Sequence, residues 1–400
     1  GAGGLDHRQC REDRCSMSGF IPYGRQAISD ADIAAVEAVL RSDYLTQGPV
    51  VPRFEGAVAA LAGASHGVAV NSATSALHIA CMALDLGPGD ILWTVPTTFV
   101  ASANCGLYCG ASVDFVDIDP VTWLMCPRAL AEKLAAAKAA GRLPKVLVPV
   151  HLQGEPCDMA AIGALAREYG VRVIEDASHA IGALHAGQPV GACQHSDICV
   201  FSFHPVKIVT TAEGGLATTN DPALARRMEL ARSHGITREP SEMTQVPDGA
   251  WYYQQIALGY NYRMTEMQAA LGLSQLDRLE AFIDRRQALA ARYDALLAAL
   301  PVTLPHRARE NRSALHLYVV RVPAARHRAA FDAMRAAGIG VNLHYIPVHL
   351  QPFYRAMGFG PGDFPQAEAY YNEAISLPLY PGLSEDDQDR VVTTLKAALA

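Results

Sequence analysis

An α/β fold, with a large helix-flanked mixed sheet and a smaller C-terminal α/β domain, is predicted by three features of this 400-residue sequence. Short β-rich apolar runs alternate with helix-length segments from Val68 to Thr219. Near Met264 the texture changes to long helices, with Leu271, Leu276, Leu279 and Phe282 at helical spacing. After Pro301 strand and helix alternate again. Strands separated by helix-length segments require crossover connections, which place helices on both faces of a sheet. Half of the residues are hydrophobic and 18% are charged, enough to bury a sizeable core and to exclude a disordered chain.

The elements follow in order. Ser29 caps a helix with Asp32 three residues on, and Ile33, Val36, Val39 and Leu40 form its apolar stripe. The polar turn Thr46-Gln47-Gly48-Pro49 precedes a second helix around Phe54 to Leu61. Val68 to Val70 reads as a strand and Ser75 to Leu84 as a helix. Strands are expected at Ile91–Val95, Val113–Val116, Val146–Val150 and Val171–Ile174, with helices at Leu130–Ala140 and Met159–Tyr169. Ile198–Phe203 and Leu216–Thr219 close the series. Leu315–Val322 as strand, Arg326–Ala337 as helix and a further run from Val341 make up the C-terminal part. The expected division is a disordered leader at 1–18, a large domain at 19–262, and linking helices with a small domain at 263–400.

The net charge of −7, without a long basic run, argues against electrostatic binding of nucleic acid. The nine cysteines form no CxxC pair, and they read as thiols of a reducing cytoplasm. Gly56–Leu84 and Ile91–Val113 lack formal charge but are broken by polar residues, Gly or Pro, so both read as core and no membrane association is expected. The first sixteen residues carry no apolar h-region, so they are no signal peptide, and a start at Met17 would remove them.

Gly63-Ala64-Ser65-His66-Gly67 fits G-x-S-x-G, but a nucleophile elbow needs a strand before it and a helix after it. The order here is reversed, which makes it a turn. Asn71-Ser72-Ala73-Thr74-Ser75-Ala76-Leu77 leaves a strand and opens a helix, an arrangement suited to phosphate or to plain Ser/Thr capping. Asp176 ends a strand, where ligands gather in open α/β sheets; it could hold a heterocyclic nitrogen protonated or cap the next turn. Lys207 follows an apolar strand and precedes the turn Thr210-Thr211-Ala212-Glu213-Gly214-Gly215. Taken singly it reads as a solvated loop lysine; partly desolvated, its amine would attack a carbonyl.

Together, a phosphate cradle, a ring-nitrogen carboxylate and a Schiff-base lysine are what pyridoxal 5′-phosphate requires. In IPYGRQ (21–26), DYLTQGP (43–49), NSATSAL, EDASHA (175–180), SFHPVK, TTAEGG, GYNYRMTEMQAALGLSQL (259–276), HYIPVHLQP (344–352) and SLPLYPGLS (376–384) the chain resembles the DegT/DnrJ/EryC1 family of sugar aminotransferases. The resemblance runs from about Ile21 to the C-terminus and implies the aspartate aminotransferase (type I) fold. The run SFHPVKIVTTAEGG looks most like enzymes that aminate UDP-4-keto-6-deoxy-N-acetyl-L-altrosamine toward pseudaminic acid.

Carried over, the resemblance implies that Lys207 forms the Schiff base and shuttles protons, Asp176 pairs with the pyridinium nitrogen and His179 lies beside the ring. Phe99 takes the ring-stacking place; Ala73, Thr74 and Ser202 hold the phosphate. Asn261 would reach the phosphate of a neighbouring subunit, making a homodimer with a shared active site. Tyr23, Asp43, Tyr44, Leu45, Thr46, His344, Tyr345, Ile346 and Pro347 match positions around the nucleotide sugar. L-Glutamate is the implied amino donor. No metal is expected, since His344 and His349 find no third ligand. The alternatives are a dTDP- or GDP-linked keto sugar, or a non-catalytic sensor on the same fold. A sugar dehydratase, in which histidine replaces the lysine, is argued against by Lys207.

Overall fold

The computed structural model describes residues 19–400, so the expected leader lies outside the described residues. The N-terminal elements follow their local signals. Helix α1 (Asp30–Leu40) is closed by a capping box between Ser29 and Asp32, and α2 (Val50–Ala62) ends at Gly63, whose φ of 68° suits glycine. The turn through Gly63 then leads into strand β1 (His66–Val70), in the order that excluded a nucleophile elbow.

The stripe expected on α1 is corrected: Ile33 and Leu40 are exposed, and only Val39 of the four is buried. What α1 buries instead is Asp32. Its carboxylate accepts from Ser274 Oγ (2.6 Å), Gln275 Nε2 (2.8 Å) and the Arg278 guanidinium (2.5 Å). These partners orient α1 through a polar contact, so its apolar residues need not face the chain's own core.

Seven strands form the central sheet. After β1 and α3 (Ala73–Ala83) come β2 (Ile91–Thr94), α4 (Ala101–Tyr108), β3 (Ser112–Phe115), α5 (Pro127–Ala139), β4 (Val146–Val148), α6 (Met159–Tyr169), β5 (Arg172–Asp176), β6 (Ile198–Ser202) and β7 (Gly215–Thr219). The spatial order is β1-β7-β6-β5-β4-β2-β3. Neighbours from β6 to β3 are parallel, whereas β7 runs antiparallel to both β1 and β6. The exception has a local cause. Residues 203–214 return directly to the neighbouring strand without a helix, and Phe203 N–H donates to the Gly214 carbonyl at 2.9 Å to close the loop.

One consequence governs the site. Because β1, β2, β5 and β6 point the same way, their carboxyl ends open on one edge of the sheet. Parallel sheets with both faces covered read as continuous apolar runs, as the fully buried β4 and β6 do.

After α7 (Pro222–Arg232), α8 (Glu266–Leu276) leads into the 19-residue α9 (Leu279–Leu297). The C-terminal part pairs β8 (Tyr318–Arg321) with β9 (Ala374–Leu377) in antiparallel register, flanked by α10 (Ala324–Ala336), α11 (Pro365–Tyr371) and α12 (Glu385–Leu399). The strand expected from Val341 is absent; Asn342 makes a single bridge to Ser376, and β9 takes the place beside β8. A second hydrophobic core, including Ile21, Tyr293, Tyr318, Met334 and Leu395, holds this part together.

Arg286 of α9 is 1% exposed and faces carbonyls rather than a carboxylate. Its Nη1 donates to Leu315 (3.2 Å), His316 (3.1 Å) and Leu379 (3.0 Å). Arg286→Met would leave these buried carbonyls without that donor, at about 1–3 kcal/mol per stranded group. The variant is expected to lose about 3 kcal/mol of stability in chemical denaturation.

Candidate active site

The carboxyl ends of β1, β2, β4, β5 and β6 and segments of the C-terminal part line a cavity of about 960 Å³. On its first side, β1 runs through Asn71 into α3. Ser72 caps that helix by accepting from Ser75 N–H (3.1 Å), while Ser75 Oγ donates to Asn71 Oδ1 (2.6 Å). The first amides of a helix have no intrahelical acceptor, so those of Ala73 and Thr74 remain for an anion, assisted by the helix dipole.

Residues of β5 alternate between faces. Glu175 pairs with the buried His151 (2.8 Å) on one side, and Asp176 turns toward the cavity on the other. Asp176 Oδ1 accepts from Ser178 N–H at 3.1 Å and Oδ2 accepts from Ser102 Oγ at 2.6 Å. Ser202 closes β6 opposite Gly215, and the loop beyond it brings Lys207 to the same cavity. Burial lowers the Lys207 ammonium to about 8, although the Asp176 charge opposes the shift. Near neutral pH a useful fraction of this amine is therefore free to act as nucleophile or base.

His179 is fixed by its hydrogen bonds. Its Nδ1 accepts from Gln153 N–H (3.2 Å), and its Nε2 lies 3.1 Å from the Tyr345 hydroxyl. Burial, then the charges of Lys207 and His344, hold its pKa well below the usual value. The neutral ring thus carries its proton on Nε2 and donates to Tyr345, which leaves the Tyr345 hydroxyl proton for a ligand. His344 is likewise pushed down to about 3 by burial and then Lys207; its Nδ1 is 2.7 Å from Ser376 Oγ. His316 packs against His179 at a tilt of 47°, with ring centroids 4.5 Å apart, and burial, then the charge of His179, holds its pKa well below the usual value. Three neutral imidazoles thus surround one titrating amine.

Tyr23 lies 5.4 Å from the His344 ring, and Phe99 lies 6.2 Å from that of Tyr345; both line the cavity. Most of the expected residues are therefore gathered here. Ile346, Pro347 and Asn261 do not line this chain's cavity. Neither do Asp43, Tyr44, Leu45 and Thr46, which are exposed. That turn is held elsewhere, by Glu266 N–H donating to the Leu45 carbonyl at 3.0 Å. His349 bonds Glu368 at 3.0 Å, away from His344, and among the described residues no cluster could hold a metal ion.

Ser102, Thr98, His316 and Asn342 were not foreseen in the sequence, although all but Ser102 line the cavity directly. Only the position of Ser102 three residues after Phe99, in the first turn of α4, could have pointed to it.

Lys207 in the cavity without cofactor is expected to react with an amine-directed acylating reagent as its neutral form. Reactivity should fall as pH drops through about 8, since protonation removes the lone pair. Mass-spectrometric labelling rates from pH 6 to 10 would check this; a midpoint near the usual lysine value of ~10.4 would contradict the burial argument.

Comparison with known proteins agrees with this geometry. The model of the DegT/DnrJ/EryC1/StrS aminotransferase family matches residues 26–396. The chain is 38% identical over 384 residues to the spore coat polysaccharide biosynthesis protein SpsC of Bacillus subtilis, covering 94% of this chain and 96% of that one. The putative sugar aminotransferase Spr1654 from Streptococcus pneumoniae, in its PMP form, superposes with a TM-score of 0.87 at 30% identity, covering 94% and 98% of the two chains. Helicobacter pylori PseC, an aminotransferase involved in the biosynthesis of pseudoaminic acid, gives 0.87 at 29% identity, covering 95% and 99%.

The large-sheet and small-domain architecture is that of the type I aminotransferases, and the cofactor is pyridoxal 5′-phosphate. The residues fit it: the Ala73 and Thr74 amides are free to bind an anion, a carboxylate ends β5, and a partly desolvated amine shares their cavity. On this fold and this site, the chain belongs to the DegT/DnrJ/EryC1/StrS family and is a pyridoxal-phosphate-dependent aminotransferase acting on a nucleotide-linked keto sugar.

Proposed function

We propose that this enzyme transfers an amino group from L-glutamate to C4 of a UDP-4-keto-6-deoxy-N-acetyl hexosamine. The product would be UDP-4-amino-4,6-dideoxy-N-acetyl-β-L-altrosamine, used for pseudaminic acid. The observation that carries the reading is the meeting of Lys207, Asp176 and the α3 N-terminus in one cavity. The finer choice of sugar is supported by the run SFHPVKIVTTAEGG and by the likeness to PseC.

When bound, the cofactor supplies an electron sink for bonds at the carbon bearing the amino group. Ala73 and Thr74, with Ser202, would hold its phosphate, Phe99 would cover its ring, and Asp176, beside His179, would pair with the ring nitrogen. Lys207 would tether it, and would remove and return the proton at the reacting carbon. Tyr345, accepting from His179, presents its hydroxyl hydrogen to the reacting groups. Tyr23, His344 and Tyr345 face the sugar, and among the described residues Lys207 is the one lysine or arginine of the lining.

Two copies complete the site, with Asn261 reaching the partner's phosphate. The exposure of Asn261 and of Asp43–Thr46, outside their own chain's cavity, supports a site shared in this way. The proposed division into 19–262 and 263–400 sets the cavity between the two parts. Free thiols among the described residues accord with work in the cytoplasm, and no described helix is long and apolar enough to cross a membrane.

The test is a two-stage absorbance measurement. Glutamate is expected to convert the bound cofactor to its amino form, and the UDP-linked 4-keto-6-deoxy-N-acetyl sugar to restore the starting spectrum. Restoration by a dTDP- or GDP-linked keto sugar instead would reassign the substrate.

A further inference from the structure

Asp176 is held by more than its own strand. Ser102 is 0% exposed and donates to Asp176 Oδ2 at 2.6 Å, and Thr98 Oγ1 lies 2.8 Å from the same serine oxygen. A carboxylate only accepts, so the Ser102 hydrogen must point to Asp176. The Thr98 hydrogen must then point to Ser102, since the serine has no second hydrogen to give. The two hydroxyls form a one-way relay, Thr98 to Ser102 to Asp176. Both belong to the turn that leaves β2 and opens α4, and this turn also carries Phe99.

We propose that Ser102 is a positioning residue for the cofactor's ring nitrogen: it fixes the Asp176 carboxylate in the orientation that pairs with that nitrogen, so that the nitrogen stays protonated. The inference rests on the pairing of Asp176 with that nitrogen. Ser102 touches neither substrate nor cofactor in this assignment and acts through Asp176. A hydrogen bond to an ionised acceptor is stronger than a neutral one, so the Ser102 contact holds the carboxylate firmly in place. With Ser178 N–H already on Oδ1, the serine also restricts rotation of the carboxylate, leaving one lone pair on each oxygen directed by its neighbours.

The experiment uses the holoenzyme loaded with ring-¹⁵N-labelled pyridoxal phosphate, read by ¹⁵N NMR alongside the rate of the glutamate half-reaction. Ser102→Ala is expected to move the ring-nitrogen resonance toward the unprotonated position and to slow the half-reaction about tenfold, the kinetic equivalent of one charge-assisted hydrogen bond. Ser102→Thr, which keeps the hydroxyl, should restore both. Asp176→Asn marks the resonance of the unpaired ring. Should Ser102→Ala fold poorly, Ser102→Cys, a near-isosteric weak donor, should give an intermediate resonance. A Ser102→Ala or Ser102→Cys holoenzyme with the wild-type resonance would overturn the proposal. If Asp176→Asn also leaves the resonance unmoved, the pairing of Asp176 with the ring has failed instead.

Discussion

Lys207→Ala is expected to abolish turnover, by about 10⁴-fold or more, and to remove the visible absorbance of the tethered cofactor. Two losses combine. The amine proposed to hold the cofactor is gone, and so is a cavity amine whose pKa, about 8, suits proton transfer near neutrality. The three buried histidines beside it offer no substitute, because burial holds His179 and His316 well below the usual imidazole value and His344 near 3. Lys207→Arg should be equally inactive, since guanidinium keeps the charge but neither attacks a carbonyl nor gives up its proton. Activity above about 1% of the wild-type rate in either variant would remove the lysine from the mechanism.

Gly215→Ala should damage the proposed phosphate cradle almost as severely, although Gly215 contributes no side chain. A Cβ at this position would meet Ala73 N, Ser72 C and Ser72 O, each at 2.5 Å. These are backbone atoms of the α3 N-terminus, and no rotamer change relieves the contact. The helix must move, taking the Ala73 and Thr74 amides out of register with Ser202. Affinity for pyridoxal phosphate is expected to fall about 100-fold, equivalent to about 2.7 kcal/mol. Gly56→Ala is the control: a Cβ there meets nothing within 4 Å, so stability should hold or rise by about 0.5–1 kcal/mol. Fluorescence titration of the cofactor and thermal melts would separate the two effects. Unchanged cofactor affinity in Gly215→Ala would mean that the α3 amides do not bind the phosphate.

Much of the large sheet was legible because its signals are local. Ser29 and Ser72 cap the helices expected of them, and apolar runs bounded by turns fell where β2, β4, β5 and β6 lie. The C-terminal part was less legible. Ala374–Leu377 is a buried strand of four residues set among loops and short helices, and its pairing with Tyr318–Arg321 joins positions far apart in the chain. The stripe on α1 misled because helical periodicity reports a face without saying what covers it; here Ile33 and Leu40 stay exposed while Asp32 is buried.

The sequence by itself determined the chemistry of the site. Lys207, Asp176 and the Ser72–Thr74 turn each follow a recognisable strand, and the carboxyl ends of parallel strands share one edge, so a one-dimensional pattern implied a common location. Only the tertiary structure decided how that chemistry is tuned. It put Ser102 on Asp176, set His179 between Gln153 and Tyr345, and packed His316 against His179. Those contacts join residues 26 to 166 positions apart, and hydrogen-bond direction and desolvation depend on distances that no local pattern encodes.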